Sequence, residues 1–405
     1  MTGGWGVFVR GWAAVAAQSW GGPAAQIAVM HRLRVAPHGP VEEGRFRHAL
    51  AFCHLLPGPE AQQLATVLGW MERGVAGGLV AGGLFIVPGA VAVGVLSAAY
   101  AAWGGVPAVR VALGGVEAAI LAVVGAAVLR LGRRVLDGRL AWGLGAVALG
   151  ADAVGVPYPW VVAGAAALGG ALAPAAAEVG GATRPPWGRV GATLAVGLGV
   201  WWAPLLGLRA ALGPGHALVE VGALCSEAAV VTVGGAYAVL GHLARAAVEV
   251  HGWLSVEEMV DAVAIAESTP GPLIQIVQFV GFFAGHRSPG PLGPWAGAAL
   301  GSAVAVWATF VPAFTWALAG APALDWLRGR PRLAGAMRAV SACGVAAMAG
   351  VALRFGAAVL APAGSPELVR GLITAVAAVA IARGVGLWGV LAIGVAGGAV
   401  LATGG

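Results

Sequence analysis

Long apolar runs dominate this chain and restrict the folds that it can adopt. Four of them reach about the 20 residues that a helix needs to cross roughly 30 Å of hydrocarbon, and they cover residues 77–99, 111–128, 296–319 and 335–353. Only 10% of the 405 residues are charged, whereas soluble domains carry about 25%. The runs also lack the alternation that is typical of β-barrel strands. The sequence therefore predicts an all-α polytopic membrane protein.

The charged and reactive residues exclude several classes of protein. All 23 basic residues are arginines, and in a membrane chain their placement reports topology, so the net charge of +6 does not indicate nucleic-acid binding. The three cysteines, Cys53, Cys225 and Cys343, lie in apolar segments and lack metal-site spacing. The sequence contains no P-loop, nucleophile elbow or metal-binding helix motif. We therefore expect neither an enzyme nor a bound cofactor or metal.

The two halves of the chain repeat each other at two constant offsets. An offset of 213 relates Pro57-Gly58-Pro59 to Pro270-Gly271-Pro272, Gly21-Gly22 to Gly234-Gly235, and Gln62 to Gln275. An offset of 224 relates Pro88 to Pro312, Pro107 to Pro331, and Arg130 to Arg354. An 11-residue insertion near residues 287–293 explains the change of offset. We predict an N-terminal repeat (1–206), a connecting loop (207–216) and a C-terminal repeat (217–405).

Arginine placement predicts that the two repeats are inverted. The loop at residues 31–47 holds Arg32, Arg34, Arg45 and Arg47, whereas its counterpart in the second repeat holds one arginine and four acidic residues. Arginine-rich loops favour the cytoplasmic side, so the equivalent loops are expected on opposite faces of the membrane. Inverted-topology repeats of this kind build the substrate sites of many transporters.

The same arginines favour a re-entrant hairpin around Pro57-Gly58-Pro59. If this segment crossed the membrane fully, the arginine-rich loops at 31–47 and 130–139 would lie on opposite sides. If it enters the membrane and returns, both loops lie in the cytoplasm. We therefore expect re-entrant or broken helices in each repeat, with a full crossing as the alternative.

The Pro-Gly-Pro motif suits the start of a half-helix that binds an anion. Pro57 ends a helix, Gly58 allows a turn, and Pro59 fits the first position of a new helix. The N–H groups that follow, at residues 60–62, lack helical partners and carry the positive end of the helix dipole. An anion is their natural ligand. The alternative is that these prolines only shape helix packing.

The polar residues around these breaks are the candidate site. Glutamine side chains can donate to oxyanion oxygens, and carboxylates inside a membrane are rare and usually functional. The predicted substrate-binding residues are Gly22, Pro23, Gly58, Pro59, Glu60, Gln62, Gln63, Gly235, Thr269, Gly271, Pro272 and Gln275. The predicted coupling or gating residues are His54, Glu60, Glu267 and Glu227.

Each of these assignments has a structural alternative. Glu60 could cap a helix N-terminus, and the glutamines could form hydrogen bonds between helices. The Thr269 hydroxyl could bond to a local carbonyl. Glu227 is expected to be a buried acid, and its alternative role is pairing with a neighbouring residue.

Five stretches of the chain form an ordered set of motifs. They read WGGPAAQIAVMHR (20–32), FCHLLPGPEAQQLATVLGW (52–70), GGLVAGGLFIVPGA (77–90), VTVGGAYAVL (231–240) and GWLSVEEMVDAVAIAESTPGPLIQIVQFVGF (252–282). Together they resemble the chromate ion transporter family in its long-chain, two-domain form. The resemblance implies a prokaryotic inner-membrane protein that exports chromate and has fused, oppositely oriented halves. Glu117 departs from the resemblance, because a basic or amide residue is expected there.

We therefore predict a secondary transporter that exports chromate, a tetrahedral oxyanion, and lowers its cytoplasmic concentration. Sulfate has the same shape and charge, so a sulfate or other oxyanion permease is one alternative and an anion channel is another. A membrane enzyme acting on a phosphorylated lipid is the third. The expected partners are a small inorganic oxyanion and membrane lipids, without nucleic acid, and a homodimer is left open.

Overall fold

The computed structural model describes residues 4–20, 22–35, 39–54, 56–136, 138–173, 186–232, 236–323, 331–361 and 367–403, and helices dominate them. The helices of the first half are α1 (Trp5–Gln18), α2 (Gly22–Arg34), α3 (Glu43–Cys53), α4 (Glu60–Trp103), α5 (Pro107–Val135), α6 (Arg139–Ala153), α7 (Tyr158–Ala171) and α8 (Trp187–Leu212). Those of the second half are α9 (Ala217–Val231), α10 (Ala236–Ala244), α11 (Val256–Glu267), α12 (Ile276–Arg287), α13 (Pro294–Gly320), α14 (Pro331–Leu360), α15 (Leu368–Ala382) and α16 (Leu387–Thr403). A π-helix follows α10 (Arg245–Val250), and 3-10 turns lie at Leu273–Gln275, Gly290–Leu292 and Ala321–Ala323.

Five helical stretches of the described residues are long and apolar enough to cross a membrane. They are Glu60–Trp103, Val109–Arg130, Trp187–Leu212, Pro294–Ala323 and Gly335–Ala357. Four of these stretches contain the apolar runs found in the sequence, and the fifth belongs to α8, where arginines and a proline interrupt the apolar pattern. The prediction of an all-α, multi-pass membrane protein is confirmed.

Helix α4 is a hairpin of two arms rather than one rod. Non-helical backbone at Arg73 and Gly74, the latter with φ +64°, separates residues 60–72 from residues 75–103. The arms fold back so closely that a Cβ on Gly69 would lie 2.4 Å from the Gly77 carbonyl oxygen. In the second half α12 and α13 repeat this contact through Gly281 and Gly301. Their link, residues 288–293, lies where the offset between the repeats changes.

An ion pair closes the open end, or mouth, of the hairpin that surrounds each Pro-Gly-Pro motif. In the second half Arg287, the last residue of α12, donates to Glu258 in the first turn of α11 at 2.8 Å. A single continuous crossing would separate these residues by about 40 Å. In the first half Arg34, the last residue of α2, pairs with Glu72 at the end of the first arm of α4. The Val41 N–H, two residues before α3, donates to the Arg34 carbonyl oxygen at 2.9 Å, so this pair lies at the start of α3. Each motif therefore lies at the turn of a hairpin, as the arginine pattern predicted.

The two mouths lie at opposite ends of the second arm of α4. Arg73 at its beginning lies beside Glu72 and over the ring of Trp5, 5.0 Å from the ring centre. Near its other end, the Tyr100 hydroxyl donates to Asp261 of α11 at 2.7 Å. The helical rise places Tyr100 about 39 Å from Gly74 along the chain. Inverted repeats produce this arrangement.

The apolar core lies mainly in two clusters, and each cluster combines residues from both halves of the chain. The first cluster packs Trp12, Phe52 and Leu64 of the first half against Ala317 of α13. The second cluster packs helices α9, α11 and α12 of the second half against α5 and against Val93 of α4. The long arm of each half therefore packs into the hairpin core of the other.

The connection between the halves is shorter than predicted. Helix α8 continues through Leu212, and Gly213, with φ +86°, ends it. Residues 208–212 are leucine, arginine and alanine, which are strong helix formers, so residues 207–212 remain helical. The predicted loop at residues 207–216 is thus reduced to 213–216.

Candidate functional site

The first break is held by a hydrogen bond from the opposite half. Gly58 has φ +118°, a backbone conformation that glycine adopts at little cost. Its N–H donates to the Thr232 carbonyl oxygen at 2.6 Å, at the end of α9. Pro59 is the residue before the helix, with φ −73° and ψ 102°, so the half-helix begins at Glu60 rather than at the predicted Pro59.

The second break repeats this bond with the halves exchanged. Gly271 has φ +101°, and its N–H donates to the Ser19 carbonyl oxygen at 2.9 Å, at the end of α1. Both donors and both acceptors are related by the offset of 213 found in the sequence. The Gln26 amide also donates to the Gly271 carbonyl oxygen at 2.5 Å. The breaks therefore meet as two pairs, and each pair contains one element from each half.

Each Pro-Gly-Pro turn also packs against the proline-containing long helix of the other half. A Cβ on Gly58 would lie 3.5 Å from Ala313, directly after Pro312 of α13. Gly271 lies against Gly89, directly after Pro88 of α4, with 3.5 Å between its Cβ position and the Gly89 Cα. These contacts are again equivalent, at the offset of 224.

The first turn of α4 presents backbone donors at the first break. Hydrogen bonding in this helix begins with the Gln63 N–H, which donates to the Pro59 carbonyl oxygen at 3.0 Å. The N–H groups of Glu60, Ala61 and Gln62 precede it and have no helical acceptor. In the second half a 3-10 turn engages the Gln275 N–H with the Pro272 carbonyl at 2.9 Å. The donors at that break are therefore the N–H groups of Leu273 and Ile274.

The glutamine side chains are already hydrogen-bonded within the protein. Gln62 donates to the Thr66 hydroxyl at 3.0 Å, within α4. Gln63 donates to the Pro57 carbonyl oxygen at 2.6 Å, and Gln275 donates to the Ile86 carbonyl oxygen of α4 at 3.0 Å. For Gln275 this is the interhelical hydrogen bond weighed as the alternative. Each amide nitrogen keeps a second hydrogen.

Two of the predicted coupling residues are in hydrogen-bond contact across the Pro-Gly-Pro turn. His54 Nδ1 lies 2.8 Å from Glu60 Oε2, and the Glu60 side chain is 11% exposed. Glu267 is buried at the end of α11, close to the second break. Glu227 is exposed on α9, so its expected burial is wrong, and it pairs with His242 at 3.3 Å. The prediction used only the distance of Glu227 from the glycine pair along the chain, and that distance does not show which side of α9 faces outward.

The remaining predicted residues differ in what they can do at the breaks. Thr269 donates its hydroxyl hydrogen to the Ala266 carbonyl oxygen at 3.0 Å, so that hydrogen is not available to an anion. Gly22, with φ +83°, and Pro23 begin α2. Gly235 lies outside the described residues.

Four residues at the site escaped the sequence prediction: Ser19, Gln26, Gly89 and Thr232. Ser19 and Thr232 stand two residues before the two glycine pairs, so the repeat offset was the signal that could have found them. Glu117, the residue that departs from the family resemblance, pairs with Arg370 at 3.2 Å. This pairing offsets the negative charge that the sequence introduces.

Paired half-helices that start at facing breaks are typical of membrane transporters. The profile of the family described as chromate transporter matches residues 7–170 and 219–401, and the chain belongs to this family. The two matched segments correspond to the two halves of the fold.

Three relatives are named as chromate transport proteins. The chromate transport protein of Pseudomonas aeruginosa is 33% identical over 307 residues, which is 74% of this chain and 68% of the relative. That of Cupriavidus metallidurans is 26% identical over 340 residues, 82% and 78% of the two chains. The probable chromate transport protein of Synechococcus elongatus is 26% identical over 349 residues, 84% and 81%. No solved structure matches the chain.

Proposed function

We propose that this protein is a secondary transporter that exports chromate across the inner membrane of a prokaryotic cell. The observation that carries the proposal is the reciprocal bonding of Gly58 to Thr232 and of Gly271 to Ser19. It aligns two half-helix N-termini from oppositely oriented halves, the arrangement in which transporters bind small anions. Membership of the chromate transporter family supports the substrate class.

The dianion binds to amide hydrogens at the two breaks. In the first half it accepts hydrogen bonds from the N–H groups of Glu60, Ala61 and Gln62 and from the second amide hydrogen of Gln62. In the second half it accepts from Leu273 and Ile274. Gly22, Pro23, Gly58, Pro59, Gly271 and Pro272 set the backbone shape at the breaks that the structure describes, and Gly235 remains a candidate from the sequence alone. Because sulfate is also a tetrahedral dianion, it competes for the same donors.

The contact between His54 and Glu60 couples binding to access. The two side chains meet at 2.8 Å on either side of the Pro-Gly-Pro turn, so an anion that reaches the Glu60 N–H must approach the carboxylate as well. Rearrangement of this pair removes the repulsion between the carboxylate and the anion. Glu267 has the corresponding coupling role at the second break. Glu227 takes part in coupling together with its partner His242. A transmembrane ion gradient or the membrane potential supplies the energy.

The test is chromate flux in proteoliposomes that contain Gln62→Leu, with Gln278→Leu as the matched control. Both substitutions remove a buried glutamine amide. Gln278 lies in the first turn of α12, and its amide donates to the Ala90 carbonyl oxygen of α4 at 2.8 Å rather than to the proposed anion. We expect flux about tenfold lower or more for Gln62→Leu and near the wild-type value for Gln278→Leu. Equal flux in the two variants would remove Gln62 from the site.

Imposed gradients distinguish the alternative functions. Saturable uptake of chromate into inside-out vesicles, driven by a pH or voltage gradient and inhibited by sulfate, supports export by a secondary transporter. Faster sulfate than chromate transport would make the protein a sulfate permease. Large unitary currents would make it a channel. Hydrolysis of a phosphorylated lipid without anion flux would make it an enzyme.

A further inference from the structure

Two carbonyl oxygens face each other at the second break. A Cβ added to Gly89 would lie 2.1 Å from the Gln275 side-chain oxygen Oε1 and 2.2 Å from the Pro270 backbone oxygen. These oxygens therefore lie close enough for one small ion to touch both. Because Gly89 has no side chain, the space between them stays open beside α4.

Both oxygens act only as acceptors and are buried. Gln275 is 1% exposed, and its Oε1 has no hydrogen-bond partner among the described residues. The amide cannot be turned round at no cost, because its nitrogen donates to the Ile86 carbonyl oxygen at 3.0 Å. Within the described part of the chain no donor reaches the Pro270 oxygen either. A buried acceptor without a donor is costly, so this pair requires a positively polarised partner.

The first break shows how the same position is satisfied by a side chain. Pro57 is the repeat equivalent of Pro270, and its carbonyl oxygen accepts a hydrogen bond from Gln63 at 2.6 Å. The residue equivalent to Gln63 in the second half is Ile276, which has no donor. Gln62 Oε1 at the first break and Gln275 Oε1 at the second are both buried without a partner among the described residues, so the breaks differ in the proline carbonyl oxygen, which has an amide donor only at the first break. Apart from this difference, the breaks share their hydrogen bond to the opposite half.

We propose that the second break binds a small monovalent cation of the size of Na⁺, with the Pro270 carbonyl oxygen and Gln275 Oε1 as ligands. Hard cations of this size contact oxygen at about 2.4 Å. Unwound carbonyls and the C-terminal ends of half-helices hold such ions in transporters, and α11 ends here at Glu267. Neutral ligands do not offset the dehydration of a divalent cation, which prefers several carboxylates.

The cation site goes beyond the proposed transport function and does not depend on it. Its binding is measured in the absence of chromate, so a negative result leaves the oxyanion assignment unaffected. If the cation site and the oxyanion site both exist, the cation lies beside the N–H groups of Leu273 and Ile274 and reduces the net negative charge of the dianion complex. Sodium would then raise the affinity for chromate.

The experiment measures binding of radioactive Na⁺ to the purified full-length protein in choline buffer without chromate. Wild type is expected to bind Na⁺ saturably, with weaker competition by K⁺. Ile276→Gln supplies the donor that Gln63 provides at the first break, and we expect at least about tenfold weaker binding. Gln278→Leu, a nearby buried amide, is expected to bind like wild type.

A second variant keeps the proposal falsifiable if Ile276→Gln misfolds. Gly89→Ala places a methyl group between the two oxygens and is expected to abolish binding, whereas Gly83→Ala, on the same helix and with no atom within 4 Å of the added Cβ, serves as control. Monodisperse elution and helical circular dichroism confirm folding of each variant. Absence of saturable Na⁺ binding to wild type would overturn the proposal. So would wild-type binding by folded Ile276→Gln or Gly89→Ala.

Discussion

The Gly58 N–H donates to the Thr232 carbonyl oxygen at 2.6 Å, across the boundary between the two halves of the chain. Gly271 and Ser19 form the equivalent bond in the opposite sense, at 2.9 Å. Each Pro-Gly-Pro turn is therefore completed by the half to which it does not belong. Neither half alone can satisfy the backbone of its own break.

Gly58→Ala is expected to destabilise the protein and to reduce chromate transport. At φ +118° any residue other than glycine is strained, at a cost of about 1–3 kcal/mol. The new methyl group would also press on the Gln63 amide, 2.8 Å away. Thermal unfolding in detergent measures the loss. Gly83→Ala, where no atom lies within 4 Å, is the control and is expected to equal wild type or exceed it. A melting temperature unchanged in Gly58→Ala would contradict the prediction.

Arg34→Met is expected to be more destabilising than Arg34→Met combined with Glu72→Met. The pair is largely buried, with side-chain exposures of 8% and 11%, so the single change leaves an uncompensated carboxylate. Such a loss costs about 3–5 kcal/mol, whereas apolar replacement of both partners is often close to neutral. Melting temperatures of the single and double variants check this. A double variant that melts no higher than Arg34→Met would contradict the prediction.

Acid is expected to weaken the mouth of the second hairpin. Burial by itself would raise the pKa of Glu258, but hydrogen bonds and charge from Arg287 outweigh it and hold that pKa below its usual value. The ionised Glu258 carboxylate therefore contributes its full stabilisation of the folded protein above about pH 4.5, near the pKa of an unfolded glutamate. This stabilisation is lost as the pH falls through the lower pKa of the folded state.

The comparison for this pH effect is Glu258→Gln. At neutral pH the variant should melt below wild type, by an amount equivalent to about 1 kcal/mol or less because the pair is partly exposed. The difference should shrink as the pH falls below about 4. A difference that stays constant between pH 7 and 3.5 would rule out this role for the Glu258 carboxylate.

Tyr100→Phe is expected to destabilise the contact between α4 and the α11–α12 hairpin. The hydroxyl is a 2.7 Å donor to Asp261, and that aspartate is 2% exposed. Loss of the donor leaves a buried carboxyl oxygen without its partner, at a cost of about 1–3 kcal/mol. Hydrogen exchange should increase in α11 and not in α3. Uniform exchange in both hairpins would contradict a local effect.

The sequence predicted the features that depend on local chemistry. The Pro-Gly-Pro turns follow from proline and glycine geometry, and the hairpin around Gly58 follows from the parity of arginine-rich loops. The offset between the halves also located the link between α12 and α13. Each of these inferences uses residues that lie near one another in the chain.

The features that the sequence did not predict depend on contacts between the halves. No local pattern shows that Gly58 meets Thr232, or that the Gln275 amide nitrogen turns to the Ile86 carbonyl. The exposure of Glu227 depends on how α9 is rotated against its neighbours. These are properties of packing, which one sequence read along its length does not contain.

The exchanged hydrogen bonds impose an order on biosynthesis. When the ribosome has released the first half, the Gly58 amide is still unmet, because its acceptor has not been translated. Until the later helices insert with the opposite orientation, water or lipid headgroups must therefore act as hydrogen-bond partners of this amide. A chain arrested before Thr232 should be recognised as immature by quality-control proteases, however well its individual helices have entered the membrane.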